Sequence, residues 1–213
     1  MAASLIFYTN PMSRGQIARW AIEETGAAYD TVLLDYTSTM KQEPFLSVNP
    51  MGKVPAIVHD GRVVTECAAI CAYLAEAFPD AGLAPTASER ADYYRWLFFA
   101  AGPVEQAVTN RAMGFTPSDE QSRMAGYGNY DLAVDVLEKA VAASPYIAGD
   151  RFTAADVYVG SQVIWGVQFG TVPKRAAFED YVARLSSRPA YIRAKAIDND
   201  LIAAAQAAAQ SAG

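Results

Sequence analysis

The pattern of apolar and polar positions divides this chain of 213 residues into two parts. Up to about residue 79, apolar runs rich in β-branched and aromatic residues alternate with stretches of helical periodicity, and beyond it no strand pattern recurs. The predicted strands are residues 4–9, 29–34, 54–58 and 62–64. Residues 13–25 and 66–78 have the period of amphipathic helices, so the predicted order is β-α-β followed by β-β-α.

Glycine and proline mark the ends of these elements. Gly26 closes the first predicted helix, and Asp60-Gly61 is a hairpin signal between the last two strands. Pro55 lies in an apolar run but lacks the amide proton that a central strand donates. It therefore indicates a strand start or an edge, and the Val54-Pro55 bond is a candidate cis bond.

The second part predicts an all-helical domain over residues 87–213, joined by a linker at 80–86 to a first domain at 1–79. Its predicted helices include residues 87–115, 118–143, 177–187 and 189–197. Another helix is predicted to begin at Thr153, which forms a capping box with Asp156. The alanine-rich tail from residue 201 is expected to fray or to lie over the mouth of a site.

Composition narrows the classes of partner. The chain is 52% hydrophobic, its formal charge is -6, and no cluster of lysine and arginine occurs, which argues against nucleic acid and anionic membranes as partners. No signal peptide and no apolar run of about 20 residues are apparent, so a soluble, cytoplasmic protein is expected.

Cysteine and histidine are scarce. Cys67 and Cys71 lie four apart on one predicted helix, where a disulfide would strain the backbone, so two reduced, packed thiols are expected. His59 is expected at the surface end of a strand, without partner ligands nearby, and no metal site is predicted.

The richest stretch for function is N-P-M-G-K-V-P-A-I-V at residues 49–58, followed by Thr65-Glu66-Cys67. A proline at a strand start leaves a backbone edge available to an extended ligand. A helix that begins directly after a strand offers free amides to an anion. Together these features indicate a site for a small peptide that carries a carboxylate.

These residues resemble the glutathione-binding half of the cytosolic glutathione transferases, and the resemblance covers essentially the whole chain. It implies a thioredoxin-like N-terminal domain and an all-helical C-terminal domain, an α/β + all-α fold, with glutathione as co-substrate and no metal. Val54 and Pro55 match the pair that binds the cysteinyl backbone of glutathione, and Glu66 matches the residue that holds its γ-glutamyl end. Cys67 stands where the family usually has serine, which keeps the backbone amide but weakens the side-chain contact.

The resemblance places the residue that activates the thiol in the turn between the first strand and the first helix. Ser13 is the expected catalytic residue, although it could instead only cap the helix. Tyr8, Thr9, Asn10 and Arg14 are possible neighbours of the thiol. Lowering the thiol pKa by roughly 2 units requires ~2.7 kcal/mol, which one hydrogen bond to the charged form and a helix dipole can supply.

The resemblance also suggests the other contacts. Lys41 and Lys53 are expected to face the glycyl carboxylate. A small apolar electrophile would lie beside the thiolate, in the cleft between the domains, with Tyr93, Trp96, Met113 and Trp165 as a possible acceptor wall. Relatives of this layout are usually homodimers, and the same is expected here.

The predicted function is that of a glutathione transferase that conjugates small electrophiles in detoxification. Glutathione-dependent isomerase, dehalogenase or peroxidase chemistry on the same thiolate remains open, as does a binding or regulatory protein without turnover. A thioredoxin-type oxidoreductase is disfavoured because no C-x-x-C pair occurs at the first helix.

Overall fold

A computed structural model describes residues 4–211 and contains one mixed sheet followed by helices. The strands are β1 (Leu5–Thr9), β2 (Asp30–Leu33), β3 (Ala56–His59) and β4 (Arg62–Thr65), in the spatial order β2-β1-β3-β4. β1 is parallel to β2 and antiparallel to β3, and β3 is antiparallel to β4. The predicted β-α-β and β-β-α order is confirmed, as is the thioredoxin-like fold of this part.

The glycine signals act as the sequence indicates. α1 (Gly15–Thr25) ends at Gly26, which has a φ of 68°. Asp60 and Gly61 have φ values of 49° and 76°, the pair of positive values that a tight hairpin turn requires between β3 and β4.

The loop before β3 has more structure than the sequence indicates. It holds a short 3₁₀ segment at Thr39–Lys41 and a short helix, α2 (Phe45–Val48), and cis bonds precede both Pro44 and Pro55. A buried cluster anchors this loop on the sheet, with Tyr8 and Val54 packed against its edge; its buried members are Leu34, Met40, Phe45 and Ala56. α3 (Cys67–Ala77) then follows β4, and a 3₁₀ turn at Pro79–Ala81 comes after it.

The prediction of two long, continuous helices in the second part is wrong, because each of these helices is interrupted. The expected helix at 87–115 is α4 (Arg90–Phe99), a π-helical segment at Ala100–Val104 and α5 (Glu105–Ala112). Pro103 lies in the π segment, where its missing amide proton cannot complete an α-helical ladder. The expected helix at 118–143 is α6 (Asp119–Met124) and α7 (Tyr130–Ala142), with Asn129 capping the start of α7.

The helix opened by Thr153 is present as α8 (Ala154–Phe169) with its capping box. Asp156 is fully buried, and one of its carboxylate oxygens accepts from the Thr153 amide at 2.8 Å. α9 (Ala176–Ser186) follows and contributes Phe178 to the core, which confirms a helix in this region.

The last helix is longer than expected. α10 (Pro189–Ser211) is continuous. The prediction of a short helix at 189–197 with a fraying tail is therefore wrong for the residues up to Ser211. Residues 212–213 lie outside the described part. By its contacts the chain forms two compact units, one that runs to Gly82 and resumes at Arg188, and a second at Leu83–Ser187. Within the first unit α10 packs on α1.

The sequence suggested a surface position for His59, and this prediction is wrong because the structure buries the residue. Only 7% of it is exposed, its Nδ1 is 2.9 Å from the Tyr73 hydroxyl, and its ring lies beside that of Phe78. Its partners come from α3 and the residue after it, and hydrophobic periodicity within the strand carries no information on them. The expectation for the cysteines is confirmed, since Cys67 and Cys71 are both free and buried.

Candidate functional site

Strand register brings the predicted site segments to one edge of the sheet. Tyr8 pairs with Ala56, and Ala56 pairs with Thr65. The end of β1, the start of β3 and the end of β4 therefore lie side by side. The turn before α1, the Val54-Pro55 pair and the Glu66-Cys67 pair extend from this same edge.

Val54 lies just outside the sheet. It precedes β3, and its backbone is not part of either the β1–β3 or the β3–β4 ladder. The side chain is half-buried against the Phe45 cluster, which fixes the residue while leaving its peptide groups at the edge. Such an edge can pair with an extended peptide.

The loop before Val54 is held by its own polar groups. The buried Asn49 side chain donates to the Lys53 carbonyl oxygen at 2.8 Å and accepts from the Met51 amide at 3.1 Å. The Lys41 ammonium donates to the Gly52 carbonyl oxygen at 2.5 Å. Lys41 thus supports the loop, and Lys53 extends from it with an exposed side chain.

Glu66 has the most unusual backbone of the site. Its φ of 65° and ψ of 119° are values that a residue with a side chain adopts only under constraint, and the side chain is exposed. The first hydrogen bond of α3 runs from the Ile70 amide to the Glu66 carbonyl oxygen at 2.8 Å. The amides of residues 67–69 precede that bond and stand at the positive end of the helix.

The turn before α1 is organised by Asn10 and Ser13. Asn10 donates from Nδ2 to the Leu34 carbonyl oxygen at 2.8 Å and accepts at Oδ1 from the Met12 amide at 2.9 Å. The half-buried Ser13 hydroxyl donates to the Asn10 carbonyl oxygen at 2.6 Å and accepts from the Gly15 amide at 2.9 Å. The Ser13 hydroxyl therefore binds the amide of Gly15, the first residue of α1, and the catalytic role predicted for Ser13 stays a prediction.

The other possible thiol neighbours differ in position. Thr9 is fully buried, and Tyr8 is half-buried with its ring 5.5 Å from that of Phe45. Arg14 is exposed at the start of α1, and its carbonyl oxygen accepts from the Cys67 thiol at 3.5 Å. Cys67 thus connects the first turn of α3 to the first turn of α1.

Burial excludes the Cys71 thiol from any reaction at the candidate site. Desolvation raises the pKa of Cys71 well above its usual value, and the nearby Cys67 adds to that increase. Cys71 is fully buried in α3, so it is a core residue.

Sequence reasoning missed two residues that support the turn, one directly and the other through the first. Gln16 donates to the Pro11 carbonyl oxygen at 2.6 Å, and Lys195 of α10 donates to Gln16 at 2.8 Å. Lys195 and Gln16 are 179 positions apart, and a single sequence carries no signal for such a pairing.

The residues suggested for an acceptor wall have different environments. Tyr93 is buried, Met113 is 71% exposed, and Trp96 and Trp165 are half-buried. Trp96 lines an open pocket of about 420 Å³ on the helical unit, together with Val136 and Ile147. The acceptor role of these four side chains stays a prediction.

Within residues 4–211, no group of three or more metal-ligating side chains is found. In the same part of the chain, no helix has the length and apolar character that a bilayer span requires.

Comparison with known proteins agrees with this geometry. The family model of the glutathione S-transferase N-terminal domain matches residues 3–76. Glutathione S-transferase GstA of Escherichia coli O157:H7 is 30% identical over 149 residues, which are 68% of this chain and 73% of that protein. A beta class glutathione S-transferase from Sphingomonas chungbukensis superposes with a TM-score of 0.72 at 30% identity, over 91% of this chain and 98% of that one.

A sphingomonad glutathione S-transferase complexed with glutathione superposes with a TM-score of 0.71 at 29% identity, again over 91% of this chain and 98% of that one. Sequence identity over most of the length, a matching N-terminal domain and a shared fold agree. The chain belongs to the glutathione S-transferase family.

Proposed function

We propose that this protein is a glutathione transferase that binds glutathione at the sheet edge, stabilises its thiolate and transfers it to a small apolar electrophile. The observation that carries the proposal is the strand register. It brings Val54, Glu66 and the Ser13 turn to one edge, as binding a peptide and activating its thiol require.

The charges around this edge complement glutathione, which has two carboxylates, one ammonium and one thiol. Glu66 offers an exposed carboxylate to the γ-glutamyl ammonium, and the first amides of α3 suit the neighbouring carboxylate. Lys53 is exposed and suits the glycyl carboxylate, and Lys41 can add to the positive field while it holds Gly52. The cysteinyl backbone would pair with Val54.

The constrained backbone of Glu66 supports a binding role. Holding a residue with a side chain at positive φ costs of order 1–3 kcal/mol, and such residues concentrate at functional sites. A glycine would avoid that cost but would remove the carboxylate.

Ser13 can donate to the thiolate only if its hydroxyl stops donating to the Asn10 carbonyl oxygen. That bond is worth ~0.5–1.5 kcal/mol, whereas a hydrogen bond to a charged sulfur is worth ~1.5–3 kcal/mol. The Asn10 carbonyl would retain the Ser13 amide, 3.1 Å away. Rotation of the hydroxyl toward a bound thiolate is therefore favourable.

The same hydrogen bond supports a second candidate function, a glutathione-binding or regulatory protein without turnover. If the Ser13 hydroxyl keeps donating to the Asn10 carbonyl oxygen, the thiol of bound glutathione keeps its ordinary pKa near 8.5 and conjugation is slow. Isomerase or peroxidase chemistry would use the same thiolate as conjugation. We also infer a homodimer, as for relatives of this layout, and a cytoplasmic location.

Calorimetric titration with glutathione, followed by an assay with a generic aryl halide, tests the proposal. We expect binding and a conjugation rate that follows the thiolate fraction with pH. Binding without turnover would favour the non-catalytic candidate. No heat of binding, together with no retention on immobilised glutathione, would remove both.

A further inference from the structure

A chain of hydrogen bonds connects α10 to the turn that carries Ser13. The Lys195 ammonium donates to Gln16 Oε1 at 2.8 Å, and Gln16 Nε2 donates to the Pro11 carbonyl oxygen at 2.6 Å. Lys195 and Gln16 are both half-buried, so water competes for these bonds less than at an exposed position. One side chain of α1 thus bridges the last helix and the turn.

The two hydrogen-bond partners of Gln16, the Lys195 ammonium and the Pro11 carbonyl oxygen, determine the orientation of its side-chain amide. An ammonium only donates and a carbonyl oxygen only accepts. The bridging group must therefore accept on one side and donate on the other, which a primary amide does. Glutamate could still accept from Lys195 but would have no proton for Pro11.

The bridge holds a peptide that is also held from its other side. The Pro11 carbonyl and the Met12 amide belong to the same peptide group, and the Met12 amide donates to Asn10 Oδ1 at 2.9 Å. Rotation of this peptide would break both hydrogen bonds. Because Ser13 follows directly, the orientation of this peptide determines where the Ser13 hydroxyl is presented.

We propose that Gln16 and Lys195 are positioning residues for thiol activation, which rests on the function proposed above. Lys195 orients the Gln16 amide, and Gln16 fixes the Pro11–Met12 peptide. Ser13 is thereby held where its hydroxyl can reach the sulfur of glutathione. The hydrogen bonds of the two side chains run to groups of the protein, so we expect the two to act on the thiol pKa and the turnover rate rather than on affinity.

A purely structural role for Lys195 would be to hold α10 on α1, and Arg193 provides the matched control. Arg193 also lies on α10, and its Nε is 3.2 Å from Glu23 Oε2 of α1. It contacts neither Gln16 nor the turn in the hydrogen bonds found among residues 4–211. Lys195→Met removes one hydrogen bond between α10 and α1, and Arg193→Met removes two, but only Lys195→Met disturbs the bridge.

The experiment titrates the thiol of bound glutathione by the ultraviolet absorbance of the thiolate and measures kcat and KM on the same proteins. For Lys195→Met and Gln16→Glu we expect the bound-thiol pKa to rise by about half a unit to one unit. Below that pKa, kcat then falls about three- to tenfold, with KM for glutathione nearly unchanged. Lys195→Arg, which keeps a donor, should restore most of the rate.

Arg193→Met should lower the melting temperature without changing the thiol pKa. An unchanged pKa in both Lys195→Met and Gln16→Glu, or an equal shift in Arg193→Met, would overturn the inference. If the wild-type protein binds no glutathione or leaves its thiol at the ordinary pKa, the proposed function fails instead. The wild-type titration therefore separates the two failures.

Discussion

The guanidinium of Arg19 on α1 and the carboxylate of Asp198 on α10 form a buried ion pair, with 2.8 Å between Nε and Oδ1 and each side chain only 1% exposed. Arg19 also donates to the Tyr29 hydroxyl at 2.9 Å and lies over the ring of Phe7. Burial raises the pKa of Asp198, and the charge of Arg19 opposes that increase. This pair anchors the last helix on the helix that begins at the candidate catalytic turn.

Asp198→Asn should be strongly destabilising, because it leaves the Arg19 guanidinium buried without its counter-charge. We expect a loss of about 3 kcal/mol in the free energy of unfolding, measured by urea denaturation. Asp200→Asn makes the same chemical change at an exposed position of α10 and should have an effect below about 0.5 kcal/mol. Equal losses in the two variants would contradict a special role for the pair.

Ser13→Ala tests the catalytic prediction directly. Loss of a hydrogen bond of ~1.5–3 kcal/mol to the thiolate should raise the bound-thiol pKa by about one to two units and lower kcat about 10- to 100-fold below that pKa. Some stability should also be lost with the hydrogen bond from the Gly15 amide to the Ser13 hydroxyl.

Ser118→Ala controls for the loss of a serine hydroxyl that accepts from an amide at the start of a helix. Ser118 caps α6 in the helical unit, so its replacement removes a cap without touching the turn before α1. The variant should lose stability while the thiol pKa stays at the wild-type value. A Ser13→Ala protein with wild-type kcat and thiol pKa would show that Ser13 has only a structural role in the turn before α1.

Glu66→Gly separates backbone strain from ligand binding. Glycine adopts a φ of 65° without penalty, so we expect the variant to be more stable than the wild type by about 1 kcal/mol. The same change removes the carboxylate and should weaken glutathione binding about tenfold or more in calorimetry. Glu66→Gln retains the strain and should lose affinity without gaining stability.

Local signals in the sequence predict the structure of this chain correctly. Gly26 and the Asp60-Gly61 pair set the end of α1 and the turn between β3 and β4, because each supplies a positive φ at the position that needs it. The prediction of one continuous helix is wrong at Pro103, because the apolar periodicity continues through a residue that cannot complete an α-helix.

Contacts between segments that are far apart in the chain could not be predicted from the sequence. His59 is buried because Tyr73 and Phe78 lie against it, and Lys195 reaches the first turn because α10 packs on α1. Within the candidate site, the resemblance supplied Val54, Pro55 and Glu66. The groups that hold these segments in place, such as Asn49 and Gln16, became visible only in three dimensions.

Gly15 allows the start of α1 to approach β1 closely. A Cβ at this position would lie 1.9 Å from Thr9 Oγ1 and 2.9 Å from Ser13 Oγ, and Thr9 is fully buried. Gly15→Ala should therefore cost about 1–3 kcal/mol in urea denaturation and lower turnover by displacing Ser13. Gly102→Ala has open space around the new Cβ and should lower neither stability nor turnover.

Tyr181 donates to Asp156 Oδ1 at 2.8 Å in the core of the helical unit. Burial raises the pKa of Asp156, and hydrogen bonds from Ile147, Thr153 and Tyr181 oppose that increase. A carboxyl whose pKa is higher in the folded state favours folding below its unfolded pKa. That contribution is lost as the pH rises through the folded pKa.

Tyr181→Phe removes one of the bonds that hold the ionised carboxylate, so the pKa of Asp156 should rise further and the loss toward neutral pH should grow. We expect a cost of about 1.5–3 kcal/mol near pH 7 and a smaller cost near pH 4, from urea denaturation across a pH series. Tyr191→Phe removes a hydroxyl from a half-buried tyrosine whose pKa is raised by burial alone, and its effect should not vary with pH. A cost for Tyr181→Phe that is the same at every pH would mean that Asp156 is not ionised in the folded protein.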